Sequence, residues 1–278
     1  MSTGVFIAVL AAALLHAGWN ALIKTSANKM TGMLVLALGD AVIGIAVVAT
    51  RPFPAAEVWP WLIASGVIRT AYQLFLVYAY QHGDLSRVYP MARGAAPLLV
   101  LLVGALVLSD VVSMLEIAGI LVLGAGILLM AQGVLSNGES RRLVPFALGS
   151  AMATAGYSLV DGIGARLSGD PIAYVGWALI VTTILFAPSI IVLRGPGILR
   201  ASPRVWLSGA VAGAASYLAY SIVVWAMTQA PIALVAALRE TSILFAVLIG
   251  WWIFGERMDR GKAVAALLIV GGVMLTRI

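Results

Sequence analysis

The chain has 278 residues, 62% hydrophobic and 10% charged, with a mean hydropathy of +1.06; an ordinary soluble domain carries about 25% charged residues, so this composition excludes a water-covered globule and suits a bilayer, where an apolar exterior is tolerated. The formal net charge of +6 does not indicate nucleic acid, because the basic residues sit mostly in short loops between apolar runs and no basic stripe with interleaved aromatics is present. The absence of cysteine excludes disulfides, thiolate metal sites and cysteine nucleophiles.

A spanning helix needs about 20 mainly apolar residues. Such runs lie near 3–23, 31–50, 58–81, 86–108, 113–134, 143–163, 171–193, 205–228, 231–254 and 262–277. No cationic segment precedes the first run, so it is expected to be a retained helix rather than a cleaved signal peptide. The breaks carry turn and charge signals such as Arg51-Pro52, Gly83-Asp84, Ser109-Asp110 and Ser136 to Arg142. Pro145, Pro171 and Pro231 are placed to start helices. Pro90, Pro97 and Pro188 fall within apolar runs, as static bends or as hinges. Gly209 and Gly213 have the spacing of close helix packing. The pattern predicts an all-α membrane protein of ten transmembrane helices.

The longest polar linker falls at mid-chain, and the halves match. His16-Ala-Gly-Trp-Asn20 pairs with Thr154-Ala-Gly-Tyr-Ser158, Trp61-Leu62 with Trp206-Leu207, and Tyr72 with Tyr217. Arg93 aligns with Arg239, an offset of 146 (239 − 93), which also places Leu108-Ser-Asp110 over Phe254-Gly-Glu256 and Gly126 over Gly272. The expected organisation is a five-helix repeat over 1–135, a central loop at 136–142 and a second repeat over 143–278. An odd number of spans per repeat inverts the second relative to the first, the arrangement of many secondary transporters.

Loop cations set the orientation. With the N-terminus outside, the inner loops hold Lys24, Lys29, Arg87, Arg141, Arg142, Arg194, Arg200, Arg204, Arg257, Arg260 and Lys262, while the outer side holds only Arg51, Arg166 and Arg277. The positive-inside rule therefore predicts a multi-pass protein of the inner (plasma) membrane with both termini periplasmic.

These features resemble the EamA branch of the drug/metabolite transporter superfamily. The resemblance rests on the Ala-Gly-Trp-Asn motif in the first helix, the Phe254-Gly-Glu256-Arg257 ending of the ninth run with its weaker counterpart Ser109-Asp110, and Gly83-Asp-Leu-Ser-Arg-Val-Tyr-Pro90 followed by Ala92-Arg-Gly94. It covers essentially the whole chain. It implies a central cavity between the halves, lined by the first, third, fourth, sixth, eighth and ninth helices, with the fifth and tenth at the periphery. It also implies transport of amino acids, other metabolites, nucleotide sugars or drugs, without choosing among them.

A charged side chain at mid-membrane costs about 2.5–3.5 kcal/mol on insertion scales, so it faces a cavity or a partner. Asp40, Arg69, Arg93, Arg239 and Glu240 all lie inside apolar runs. The arginines can hold an anionic group bidentately, or they can pair with Glu240 or Asp40. Three arginines against two acids leave one unpaired, which favours an anionic or zwitterionic substrate. His16 and Asn20 share a helix face beside Trp19, as a polar wall or as interhelical hydrogen bonds. Tyr72, Tyr89, Tyr157 and Tyr217, with Gln73, Tyr220 and Trp177, can form an aromatic cage. Trp251 and Trp252 read as interfacial belt residues.

The expected substrate-binding residues are therefore His16, Trp19, Asn20, Arg69, Tyr72, Tyr89, Arg93, Tyr157, Tyr217, Arg239 and Glu240, with Glu240, Asp40 and His16 as candidates for proton coupling. Two histidines and no cysteine argue against a zinc site, and no Walker loop or hydrolase motif occurs. No catalysis, metal or cofactor is expected. The expected partners are a small-molecule substrate, the bilayer and protons, with a homodimer left open and nucleic acid excluded. The function expected is secondary transport of small polar metabolites by alternating access, in the export direction. A flippase or carrier of an amphiphilic phosphate-bearing or drug-like molecule is the alternative.

Overall fold

The computed structural model describes residues 1–24, 29–82, 93, 95–136, 143–255 and 258–278. Among these the regular structure is helical: α1 (Thr3–Lys24), α2 (Lys29–Val48), α3 (Trp59–His82), α4 (Ala96–Val107), α5 (Met114–Ser136), α6 (Leu143–Ser168), α7 (Pro171–Arg194), α8 (Pro203–Gln229), α9 (Ile232–Arg239), α10 (Ser242–Trp252) and α11 (Arg260–Leu275). The helices fall on the apolar runs. Among the described residues, five segments are long and apolar enough to cross a membrane: α1, α2, α7, α8 and the stretch Ile232–Trp252 that holds α9 and α10. Large apolar side chains such as Leu106, Val192, Leu267 and Trp252 point outward, mostly exposed, which suits contact with lipid.

Local chemistry sets several helix ends. Asp170 Oδ1 accepts from the amides of Ile172 (3.1 Å) and Ala173 (3.0 Å), and Pro171 opens α7. Asp259 Oδ1 accepts from Lys262 N and caps α11. Both use a side-chain acceptor to satisfy amides left open at a helix start. Pro97 stands at the start of α4 and so bends nothing there, whereas Pro188 lies within α7.

The ninth apolar run breaks without proline or glycine. At Glu240 and Thr241 the amides bond three residues back, to Ala237 O and Leu238 O, a tightened turn between α9 and α10. Every residue of α9 is buried, which makes it the element at the heart of the bundle.

The largest helix contacts are α3 with α6, α5 with α11, α1 with α8, α2 with α7, α2 with α8 and α3 with α7. This set is unchanged when α1, α2, α3 and α5 trade places with α6, α7, α8 and α11. Two close contacts between α5 and α11 obey the same exchange. A Cβ on Gly272 would stand 2.7 Å from Gly119 O, and one on Gly126 would stand 2.9 Å from Ala265 O. Gly119 and Gly126 carry the numbers of Ala265 and Gly272 less 146. The Gly209/Gly213 pair also marks a close approach: a Cβ on Gly213 would lie 3.1 Å from Leu36 O and 3.3 Å from Gly39 Cα, where α8 crosses α2.

One end of the bundle is clasped. Arg277 donates to Met1 O (3.1 Å) and Thr3 Oγ1 (2.8 Å), so both termini lie there. Arg51 meets Asp170 at 2.7 Å. Arg166 grips Asp110 through two nitrogens (2.7 and 3.1 Å) and also reaches Met227 O and Ala230 O, while Asp110 Oδ2 accepts from Ile232 N. Phe53, Trp59 and Trp177 cluster at the same end in tilted and edge-on contacts, with ring centroids 5.2–5.5 Å apart.

Candidate functional site

Asp40, Arg69, Arg93 and Arg239 converge on a cavity of about 100 Å³ inside the helices. A single water needs roughly 10–15 Å³ on this measure, so the space suits several waters or a small organic molecule. Its wall also includes His16, Trp19, Asn20, Tyr72, Gln73, Tyr157, Ser216 and Tyr220. Ile23, Met33 and Leu76 line it too, each near the end of its helix away from the termini, so the cavity lies toward the end opposite the clasp. α2 contributes Met33, Leu36 and Asp40, a helix the family resemblance did not assign to the cavity.

Two buried ion-pair groups carry the arginines. Arg93 faces Glu240 with Nε 2.8 Å from Oε2 and Nη2 2.7 Å from Oε1. Arg239 reaches Oε1 of the same carboxylate through Nη2 at 3.0 Å and Nε at 3.3 Å. Glu240 thus has both oxygens taken and stands behind the cavity wall. Arg69 meets Asp161 Oδ2 through Nη2 (2.8 Å) and Nε (3.2 Å). Tyr174 Oη donates to Asp161 Oδ1 at 3.1 Å, and Tyr220 Oη donates to Oδ2. The Arg69 guanidinium lies 3.9 Å from the Tyr220 ring centroid and 4.5 Å from that of Tyr157, within cation–π range.

The expectation that one of the three arginines lacks a carboxylate is therefore corrected. Asp161, buried on α6, supplies the third acid. Its signal was present in the sequence, an acid inside an apolar run. It fell near the expected end of that run at 163, but α6 continues to Ser168 and draws Asp161 inward.

The remaining expected residues divide. His16 and Trp19 make an edge-on ring contact at 4.8 Å, and Asn20 Nδ2 donates to His16 O. Tyr72, Tyr157 and Tyr220 form an aromatic chain, with centroids 5.6 and 6.3 Å apart. Tyr217 is not in the cavity wall. It packs with Val58, Leu62 and Val175 nearer the clasped end, as does Trp177. One helical turn separates Tyr217 from Tyr220, and the small difference in angle sends them to different surroundings. Tyr89, Pro90 and Arg87 lie outside the described residues. Trp251 and Trp252 are exposed, as belt residues would be. Among the described residues no group of His, Asp and Glu could hold a metal ion.

Three polar atoms buried in the cavity wall have no hydrogen-bond partner among the described residues: Trp19 Nε1, Asp40 Oδ1 and Gln73 Oε1. Such atoms are uncommon, because a buried polar group without a partner costs about 1–3 kcal/mol.

An all-helical chain with an apolar exterior and a charged internal cavity is an integral membrane protein. Residues 142–278 match the model of the EamA-like transporter family, and the chain belongs to that family, whose members are membrane transporters of small molecules rather than enzymes. A solved structure, titled only as a crystal structure of protein, shares the fold with a TM-score of 0.74 at 20% identity, over 99% of this chain and 96% of its own. No curated protein matches the chain.

Proposed function

We propose that this protein is a secondary transporter of small polar metabolites, amino-acid-like or other organic anions or zwitterions, and that it exports them across the inner membrane by alternating access. The observation that carries the reading is the cavity, which draws its charged wall from both halves of the chain: Asp40, Arg69 and Arg93 from the first, Arg239 from the second. The exchange symmetry of the helix contacts supports two inverted five-helix repeats, and a midplane site between such repeats is where alternating access puts a substrate. With the termini periplasmic, the clasp closes the outer end and the cavity sits toward the cytoplasm, the loading side for an exporter.

Uptake and efflux in proteoliposomes test this, with a panel of amino acids, organic acids and amines. At least one class is expected to move, and a lack of movement or binding across the whole panel would overturn the reading. A pH-gradient arm tests proton coupling, for which the cavity offers Asp40 and His16. Glu240 is a poorer candidate, because Arg93 and Arg239 take both its oxygens.

A further inference from the structure

We infer that Asp40 and Gln73 form a cation-binding end of the cavity, and that the substrate is a zwitterion whose ammonium group docks there. The inference rests on the transporter reading and narrows its substrate class.

Asp40 is 5% exposed. Its Oδ1 has no partner, and its Oδ2 has only a 3.5 Å contact from Ser216 Oγ. The other two acids at the site are saturated, Asp161 by Arg69 and two tyrosines, Glu240 by two arginines. A buried carboxylate without a cation is unfavourable, and it is relieved either by a proton or by an arriving cation that pairs with it. Beside the same cavity Gln73 Oε1 is a second buried acceptor without a donor. An ammonium group brings three N–H donors and one positive charge, which matches two vacant acceptors and one unpaired negative charge.

The charge count selects a zwitterion over a simple anion. Among the described residues, Arg69, Arg93 and Arg239 balance Asp40, Asp161 and Glu240 in formal charge. The charges are unevenly placed, however. Arg239 shares its carboxylate with Arg93, and among the described residues its Nη1 makes no hydrogen bond, which leaves a donor there for an acidic group. Asp40, on α2, is the acid of the site that no arginine hydrogen-bonds among the described residues. An anion without an ammonium group would leave Asp40 bare, and a simple amine would leave the arginine end bare. The unpartnered Trp19 Nε1 offers one further donor, suited to the acid end of the ligand.

The test uses the full-length protein in detergent and in proteoliposomes. Binding and transport are measured for the amino acids, each matched with its deaminated acid and its decarboxylated amine. In the wild type at least one amino acid should bind about tenfold or more tightly than both of its truncated partners. Asp40→Asn, nearly isosteric, should lose that preference and leave the deaminated acid unaffected. If Asp40→Asn does not fold, Gln73→Leu should weaken the amino acid selectively, and the wild-type comparison needs no variant. Acids or amines that move while amino acids do not would overturn the zwitterion and leave the transporter reading intact. An Asp40→Asn protein that binds amino acids like the wild type would overturn the Asp40 assignment. Failure of every compound to bind or move would overturn both.

Discussion

Arg93 and Glu240 meet as a two-point buried pair, 2.8 Å and 2.7 Å, and the preceding residue, Arg239, closes on the same carboxylate. One acid thus serves two guanidinium groups, one from each half of the chain, at the tightened turn between α9 and α10. The two arginines that the sequence aligns at an offset of 146 converge on a single point. That convergence makes Glu240 the hub of the interior, and it ranks the variants of the cluster.

Glu240→Gln takes from two buried guanidinium groups the carboxylate they share, and breaking a buried pair costs about 3–5 kcal/mol. Arg93→Gln removes one arm but leaves Glu240 on Arg239, so the cost should be nearer the 1.5–3 kcal/mol of hydrogen bonds to charged groups. Thermal unfolding of the purified protein should therefore place Glu240→Gln clearly below Arg93→Gln. Equal destabilisation, or the reverse order, would contradict the hub arrangement.

The Arg69 group makes a different prediction, because its guanidinium is both forked and stacked. Lysine supplies a point charge without the Nε/Nη2 fork or the planar face over Tyr220 and Tyr157. Arg69→Lys should lower thermal stability and reduce transport by about tenfold or more. Tyr220→Phe keeps the ring under the guanidinium and loses one hydrogen bond to Asp161, a cost of about 1.5–3 kcal/mol. If Arg69→Lys matched the wild type in both measurements, the fork and the stack would be incidental.

Adjacent glycines in α11 give an internal control. A methyl at Gly272 would stand 2.6 Å from Leu123 N and 2.7 Å from Gly119 O, and neither backbone atom can yield. Gly272→Ala should cost about 1–3 kcal/mol, the range for overpacking. Gly271 has nothing within 4 Å, so Gly271→Ala should be neutral or add up to about 1 kcal/mol through helix propensity. Unfolding temperatures of the two variants check the contact between α5 and α11. A tolerated Gly272→Ala would mean that these helices pack elsewhere.

Much of the fold was legible because a spanning helix has a length and a composition that few other structures share. Apart from the fourth run, whose first part lies outside the described residues, the apolar runs gave helix ends to within about five residues. Arg69, Arg93 and Arg239 were legible as site residues for the converse reason, a charge where the solvent is hydrocarbon. Their partners were less so. Asp161 lay too near an estimated helix end, and only the continuation of α6 to Ser168 shows it to be internal. The break at Glu240 carried no signal either. No proline or glycine marks it, and the turn tightens where Arg93 and Arg239 hold the carboxylate between them. The sequence places Tyr217 in an aromatic cage with Tyr72, its counterpart in the repeat alignment. Such alignment gives a backbone equivalence, yet the two side chains have different neighbours, so only Tyr72 meets the cavity.

The clasp at the end holding the termini should act as a gate if the two halves move against each other. Arg166 binds Asp110, Met227 O and Ala230 O at once, joining the α4–α5 connection, α6 and the α8–α9 connection. Its side chain is about a third exposed, so the charge contribution is screened and the loss in Arg166→Gln should be only about 1–2 kcal/mol. In a two-state equilibrium that is still a factor of about 5–30 in the ratio of states. The chain has no native cysteine, so single introduced thiols report accessibility without background. Ala230→Cys, buried beneath the clasp, should label slowly in the parent and several-fold faster with Arg166→Gln. Met33→Cys, in the cavity wall toward the opposite end, should label more slowly in the same background, because opening one end closes the other. Faster labelling at residue 230 with no change at residue 33 would make the clasp a static tie. A reciprocal change would make it half of an alternating-access cycle.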